Sequence, residues 1–361
     1  MNLVGRNILL LSPFVSLPAT QGSVVRINQL ARYLSRQNRV WYACRGPAHT
    51  DQLPFVQQTI YGANFPLGQL VDPLLVIKLR KLIRDENIDL IVSGHFWSTL
   101  HGCLLQHLTG LPHWFDNHNV EYLRFQRENK AYWPILRAME RFGINRAQWT
   151  TCVSEFDQSI LATLGKPTNV IAVAPNGVDM PLFMAAHSAL PQRPTVAFMG
   201  SAHYRPNLEA THILLKTLRP LILQQQPDAH FLIIGSGYDT IKDSYTEANI
   251  RFSGFVDDVI AEMQKASVFV APLLLGSGTR IKILEGVASQ RPVVSTTIGA
   301  EGLNRNVFGD MLFIADEWEP FAAQVVQCLH QTEHVIPHSF FQAHDWTTIF
   351  DQLTPPATLG S

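Results

Sequence analysis

The strongest constraint on this chain is a change of hydrophobic period that recurs along its length. Short apolar runs alternate with longer segments patterned for helices. In the first half the candidate strands are Ile8 to Leu11, Val40 to Ala43, Leu90 to Ser93, His113 to Asp116, Thr150 to Val153 and Val170 to Ala174. Between them lie helical patterns at Val24 to Gln37, Leu74 to Glu86, Thr99 to Leu108 and a long one from Glu121 to Arg146, which Pro134 is expected to break. Near-continuous apolar strands separated by helices require a parallel sheet covered on both faces. After a polar, proline-bearing stretch from Ala186 to Pro194 the pattern restarts. Its strands are Val196 to Met199, Phe231 to Ile234, Ile250 to Ser253, Val268 to Ala271 and Pro292 to Ser295, with helices beginning near Asn207, Val256, Thr279 and Glu317. The expectation is α/β: two doubly wound, Rossmann-like parallel-sheet domains facing a cleft, residues 1–185 and 186–336. A last helical stretch from Ser339 to Leu353, within 337–361, is expected to cross back to the first domain.

With 361 residues, 46% of them hydrophobic, the chain can bury two cores. Its net charge of −1 gives no global field for a polyanion, so a nucleic-acid partner is not expected. Cys44, Cys103, Cys152 and Cys328 are scattered without a Cys-x-x-Cys spacing, which argues against a zinc site or disulfide framework and fits a reducing compartment. No apolar run approaches the about 20 residues that span a bilayer. Asn7 to Pro13 reads as a first strand rather than a leader. A cytoplasmic protein is expected, peripheral on the inner face of the membrane.

Ligands of open parallel sheets bind at the carboxyl ends of the strands, so the residues just after strands matter most. One such stretch is "LLLGSGTRIKILEGVASQRPVVST", residues 273–296. Gly276 and Gly278 follow the strand that ends at Ala271, and a helix is expected from Thr279 to Ser289. Glycines let backbone N–H groups approach an anion without an intervening Cβ, and a helix start adds unpaired donors and partial positive charge. Arg280 and Lys282 then fall in the first turn, where the helix dipole opposes cations. The alternative is a tight turn with solvated charges and a Lys282–Glu285 ion pair. Two cations placed against the dipole favour an anion site.

A second station is Phe115 to Asn119 with Glu121. His118 follows a strand end, where a neutral imidazole polarises a hydroxyl or accepts its proton. A loop histidine beside a helix capped by Asn117 or Asn119 explains the same letters, and locally it is the simpler explanation. His95, His101, His107 and His113 step by six residues, which matches no helix face, so they do not read as metal ligands. Two further strand–glycine–helix stations are Leu17 to Gly22 and Ile234 to Tyr238. The latter fails as a dinucleotide fingerprint, having no third glycine.

Taken in order, "DNHNVE", "CVSEFD", "APNGVD", "FMGSAHYRPNLEA", "FLIIGSGYD", "IRFSGFVDDV" and "VAPLLLGSGTRIKILEGVASQRPVVSTTIGAEGL" resemble family 4 of the nucleotide-sugar glycosyltransferases, which have the two-Rossmann GT-B fold. The resemblance covers nearly the whole chain and is strongest from Ala197 to Leu303. It implies transfer of a sugar from a nucleoside diphosphate donor to a glycan, lipid-linked or small-molecule acceptor, with retention and with no metal or cofactor. By the same resemblance, Glu285 matches the ribose-binding carboxylate. Gly22, Gly276, Ser277, Gly278, Thr279, Arg280 and Lys282 match the diphosphate site, and His118 matches the histidine near the reacting sugar. Asn176, Gly200, Ser201, Arg205, Asn207 and Phe255 lie in matched motifs as donor or cleft contacts.

Three stretches depart from the family pattern. Ser277 stands where the first of two glutamates is common. Ser201 and Asn207 stand near the usual arginine and lysine, and Gln21-Gly22 replaces two glycines. Two alternatives stay open on the same fold: a sugar-nucleotide epimerase or hydrolase using Asp116 and Glu121, and a non-catalytic nucleotide-sugar-binding subunit. An anionic membrane surface is a further expected partner. Arg124, Arg127, Lys130, Arg137, Arg141 and Arg146 are interleaved with Phe125, Tyr132, Trp133, Phe142 and Trp149, and Lys78, Arg80, Lys81 and Arg84 form a second basic patch.

Overall fold

The computed structural model describes residues 3–15, 21–45, 53–62, 72–166, 170–186, 188–276, 278–331 and 334–356. The chain divides into two compact units, residues 1–175 with 347–361, and residues 176–346.

The first unit runs β1 (Asn7–Leu11), α1 (Gly22–Leu34), β2 (Arg39–Arg45), β3 (Gln58–Gly62), α2 (Pro73–Asp85), β4 (Leu90–Gly94), α3 (Thr99–Thr109), β5 (His113–Asp116), α4 (Glu121–Arg127), α5 (Trp133–Arg146), β6 (Trp149–Cys152), α6 (Glu155–Ala162) and β7 (Ile171–Val173). Its described strands pair in parallel in the order β3-β2-β1-β4-β5-β6-β7. Leu9, Leu11, Trp41 and Ile91 pack against Val76, Leu79 and Ile83 of α2. Phe115 and Cys152 pack with Leu136 and Ile144 of α5. Fully burying one such side chain stabilises the fold by roughly 1.5–3 kcal/mol, which is why the apolar runs become strands between helix layers.

The second unit runs α7 (Met180–Ala185), β8 (Thr195–Met199), α8 (Arg205–Ile213), α9 (Arg219–Gln225), β9 (His230–Ile234), β10 (Ile250–Gly254), α10 (Val259–Met263), β11 (Val268–Ala271), α11 (Ile281–Ala288), β12 (Val293–Ser295), β13 (Leu312–Ile314), α12 (Trp318–His330), α13 (His338–His344) and the start of α14 (Trp346–Asp351). Its strand order is β10-β9-β8-β11-β12-β13, again parallel. In each sheet the order reverses at one place, between β1 and β4 and between β8 and β11. A crevice opens at such a switch point, outside the carboxyl ends of the two strands.

Several sequence expectations need correction. The helical pattern from Glu121 to Arg146 is two helices, as the proline predicts, but the break comes earlier, where Asn129 turns left-handed (φ +55°), and Pro134 lies in the first turn of α5. The stretch from Ser339 to Leu353 is likewise two helices. Asp345 leaves the helical conformation at their junction (φ −82°, ψ 128°) and pairs with Val178 in a parallel bridge. Residues 176–185 belong to the second unit rather than the first. β3, β13 and α6 lie where no element was read.

Candidate functional site

In the second unit, β8 and β11 flank the switch point, and each is followed by a glycine. Gly200 leaves β8 where any Cβ would lie 2.6 Å from Asn207 Nδ2 and 2.8 Å from Lys282 Nζ, so only glycine lets those two side chains close over the strand end. Gly276, in the turn after β11, holds φ +122°, a left-handed conformation that costs other residues strain. A Cβ there would lie 2.6 Å from Arg280 Nη2 and 3.3 Å from the Tyr204 hydroxyl.

α11 begins at Ile281, not at Thr279. Gly278 turns left-handed (φ +73°) and Arg280 is still extended (φ −89°, ψ 102°), so Arg280 is the residue before the helix and not part of its first turn. Its Nη1 donates to the Gly278 carbonyl, folding the guanidinium back over the turn. Lys282 Nζ donates to Asn207 Oδ1 at 2.6 Å and sits 4.5 Å from the Phe198 ring centroid. Asn207 Nδ2 in turn donates to the Ser201 carbonyl at 3.0 Å. The cation therefore belongs to the β8 strand end rather than to Glu285. No Lys282–Glu285 ion pair forms, and among the described residues the Glu285 carboxylate makes no hydrogen bond.

Burial, together with the positive charge of Arg280, lowers the Lys282 ammonium to about 7. Burial also raises the Glu285 carboxyl to about 7, with Lys282 pulling it back. Both groups are thus poised to change charge near neutrality, a common sign of a functional site.

Of the other sequence-predicted contacts in this unit, Asn176 joins the cluster. Its Nδ2 donates to Thr279 Oγ1 at 2.7 Å. The Ser201 hydroxyl donates to the Ser236 carbonyl at 3.4 Å. Arg205 does not join: its exposed guanidinium pairs with Glu209 at 2.7 Å, one turn along α8. Phe255 stands 61% exposed after β10. Ser277 lies outside the described residues. Sequence reasoning missed Tyr204, whose hydroxyl reaches the Gly276 turn. It also missed Tyr238, whose hydroxyl donates to the Gly200 carbonyl at 2.8 Å.

In the first unit, Gly22 is the exposed first residue of α1, a helix with no side-chain cap. Residues 17–20 of its loop are outside the described range. His118 is buried after β5, within a polar cluster. Asp116 accepts two bonds from Arg26, at 2.9 and 2.7 Å, and one from Thr151 Oγ1 at 2.7 Å. Burial alone would raise the Asp116 carboxyl, but Arg26 and His118 hold it well below the usual carboxylate range. His118 Nε2 lies 3.1 Å from Asp116 Oδ2. An ionised carboxylate only accepts, so Nε2 carries the hydrogen. Nδ1 is then left with a lone pair, buried and without a partner among the described residues. Burial lowers the His118 pKa despite the Asp116 bond, keeping the ring neutral.

The ring of His95, after β4, packs edge-on to His118 with centroids 5.2 Å apart. Its Nε2 lies 3.4 Å from Glu121 Oε1. His95 holds φ +86°, a conformation costing a non-glycine residue on the order of 1–3 kcal/mol. Neither Asn117 nor Asn119 caps α4. Val120 occupies that position and makes no side-chain cap bond.

Two families match the chain. The one described as Glycosyltransferase Family 4 covers residues 20–181. The one described as Glycosyl transferases group 1 covers residues 193–331. An uncharacterized 44.6 kDa protein in the cps region of Klebsiella pneumoniae is 28% identical over 140 residues, 36% of each chain. The 2-deoxystreptamine glucosyltransferase of Streptomyces kanamyceticus is 25% identical over 251 residues, 63% of this chain and 62% of that protein. The chain thus matches 36% and 62% of the length of these curated relatives. The crystal structure of Anabaena HepE in complex with UDP and glucose shares the fold, with a TM-score of 0.71 at 17% identity over 96% of this chain and 98% of that one.

Proposed function

The chain belongs to glycosyltransferase family 4, and on that footing we propose that it moves a sugar from a nucleoside diphosphate donor to a glycan, lipid-linked or small-molecule acceptor, with retention at the anomeric carbon. The observation that carries this reading is the cluster at the β8/β11 switch point. There Gly200, Gly276, Arg280 and Lys282 converge, with Asn207 and Asn176 holding the two sides.

Breaking a glycosidic phosphate bond leaves negative charge on the departing diphosphate. Preorganised cations and N–H donors aimed at that charge stabilise the transition state more than the ground state. Arg280, with its planar fork, suits two phosphate oxygens, and Lys282 supplies a compact charge. This reading gives the diphosphate to these cations. It also accounts for the absence of the usual cations at Ser201 and Asn207, since Lys282 reaches that strand end from α11. Glu285 is assigned to the ribose hydroxyls, for which a carboxylate is a paired acceptor. The lone pair of His118 Nδ1 is assigned to a sugar hydroxyl. UDP-glucose is the donor to try first, because HepE binds UDP and glucose and the Streptomyces relative is a glucosyltransferase.

An epimerase or hydrolase would need a carboxylate free beside the anomeric carbon. Asp116 does not suit that role, since Arg26 and Thr151 already engage it. The test is to follow UDP release from UDP-glucose with and without a panel of glycan and lipid acceptors. Acceptor-dependent release supports transfer. Binding without release, across the nucleotide sugars, would return the chain to a non-catalytic binding role.

A further inference from the structure

Glu140 lies on α5 with no exposed surface, and among the described residues it forms no ion pair. A buried carboxyl without a cation is costly and needs its oxygens satisfied. Here they are satisfied by one short segment. Oε1 accepts from Asn117 Nδ2 at 2.8 Å and from the Glu121 amide at 3.3 Å, and Oε2 accepts from the Tyr122 amide at 3.3 Å. These donors bracket His118: Asn117 precedes it directly, and Glu121 and Tyr122 open α4. That helix has no cap of its own, so Glu140 satisfies its first amides from a different helix. His118 is therefore held from two directions. Asp116 fixes the ring through Nε2, and Glu140 fixes the backbone on either side.

Resting on the transferase reading above, we propose that Glu140 is a positioning residue: through Asn117 and the start of α4 it sets where His118 Nδ1 points, and thereby turnover, without touching either substrate. A carboxyl suits this better than an amide. Burial raises the Glu140 carboxyl to about 8; once ionised it offers two acceptor oxygens to three donors, whereas glutamine offers one oxygen and turns an N–H toward another N–H. Small displacements suffice, since a shift of about 1 Å in a reacting group costs on the order of a hundredfold in rate.

The test uses Glu140→Leu and Glu140→Gln in the full chain, with UDP-glucose turnover, UDP affinity by calorimetry, and the His118 ring nitrogens by NMR, assigned by difference from His118→Phe. Leucine is expected to lower kcat by on the order of tenfold to a hundredfold, with UDP affinity within about twofold of wild type and mixed tautomers at His118. Glutamine should fall between. Wild-type kcat and an unchanged single His118 tautomer in a folded variant would overturn the proposal, as would equal losses of kcat and UDP affinity. If leucine prevents folding, glutamine decides by the same two readouts. If wild type never consumes UDP-glucose, the transferase reading loses its support, while the His118 signal still decides whether Glu140 positions that ring.

Discussion

Lys282 Nζ donates to Asn207 Oδ1 across 2.6 Å, joining the second residue of α11 to the first turn of α8. The bond brings a cation from one side of the switch point to the strand end on the other. Lys282→Met keeps the length of the stem and removes the charge. It is expected to weaken UDP-glucose binding by about 1.5–3 kcal/mol, the usual worth of a hydrogen bond to a charged group. Calorimetric titration checks this. Equal affinity in wild type and variant would mean that the ammonium only ties two helices together.

The near-neutral pKa values of Lys282 and Glu285 predict opposite pH responses. Lys282, lowered to about 7, must be charged to bind a diphosphate, so binding takes up a proton, and its contribution fades as pH rises above about 7. Glu285, raised to about 7, must be ionised to accept two ribose hydroxyls, so binding releases a proton, and its contribution fades as pH falls below about 7. Affinity of Glu285→Gln for UDP-glucose should therefore fall as pH rises through neutrality, whereas that of Lys282→Met should rise. Titrations in buffers of different ionisation heat give the proton count directly. The same slope in both variants would refute the pairing.

Much of this site was legible in the letters because its chemistry is local. The Gly276–Lys282 stretch lies on one turn, and a glycine turn followed by two cations has few structural explanations. What was not legible depends on partners far apart in sequence. Nothing near Lys282 indicates that it bonds Asn207 rather than Glu285, because that choice depends on how the β8 and β11 ends pack. Arg26 lies among the buried residues of α1 and would ordinarily be assigned to solvent. Its ion pair with Asp116 and its bond to the Pro175 carbonyl at 3.0 Å go with that burial. Glu140 sits in a segment rich in arginine that looks like a surface helix throughout. β3 and β13 escaped because short edge strands carry little apolar signal, and the break at Asn129 escaped because the helical period continues across it.

Around His118 two substitutions should separate chemistry from stability. His118→Ala is expected to reduce turnover far more than UDP affinity, since the ring lies in the unit that does not hold the cation cluster. Asp116→Asn removes the carboxylate charge from the buried Arg26–Asp116 pair. Breaking one side of such a pair costs on the order of 3–5 kcal/mol, so the thermal midpoint should drop by many degrees. A stable Asp116→Asn variant, or equal losses of turnover and nucleotide affinity in His118→Ala, would show that the cluster is organised differently.

A membrane surface remains the boldest expectation, and the structure changes which residues can make it. Trp149 lies fully buried in β6, which removes it from any surface belt. Arg124 is engaged by Glu121 and Glu128. On α2, however, Leu74 and Ile77 are 68% and 66% exposed. Lys78 and Lys81 follow at helical spacing on that same exposed face, while Arg84 pairs with Asp85 at 3.2 Å. Exposed leucine and isoleucine beside two lysines make the arrangement that inserts shallowly into an anionic interface, each cation adding about 1 kcal/mol near the surface. No described helix is long and apolar enough to cross a membrane. Flotation with vesicles containing phosphatidylglycerol should carry the protein upward at low salt, and less so as salt screens the charges. Leu74→Ser with Ile77→Ser should weaken flotation, as should Lys78→Glu with Lys81→Glu, while UDP affinity stays unchanged in both. Protein that stays at the bottom of the gradient at low salt would leave α2 as a solvated face and favour an acceptor taken from solution.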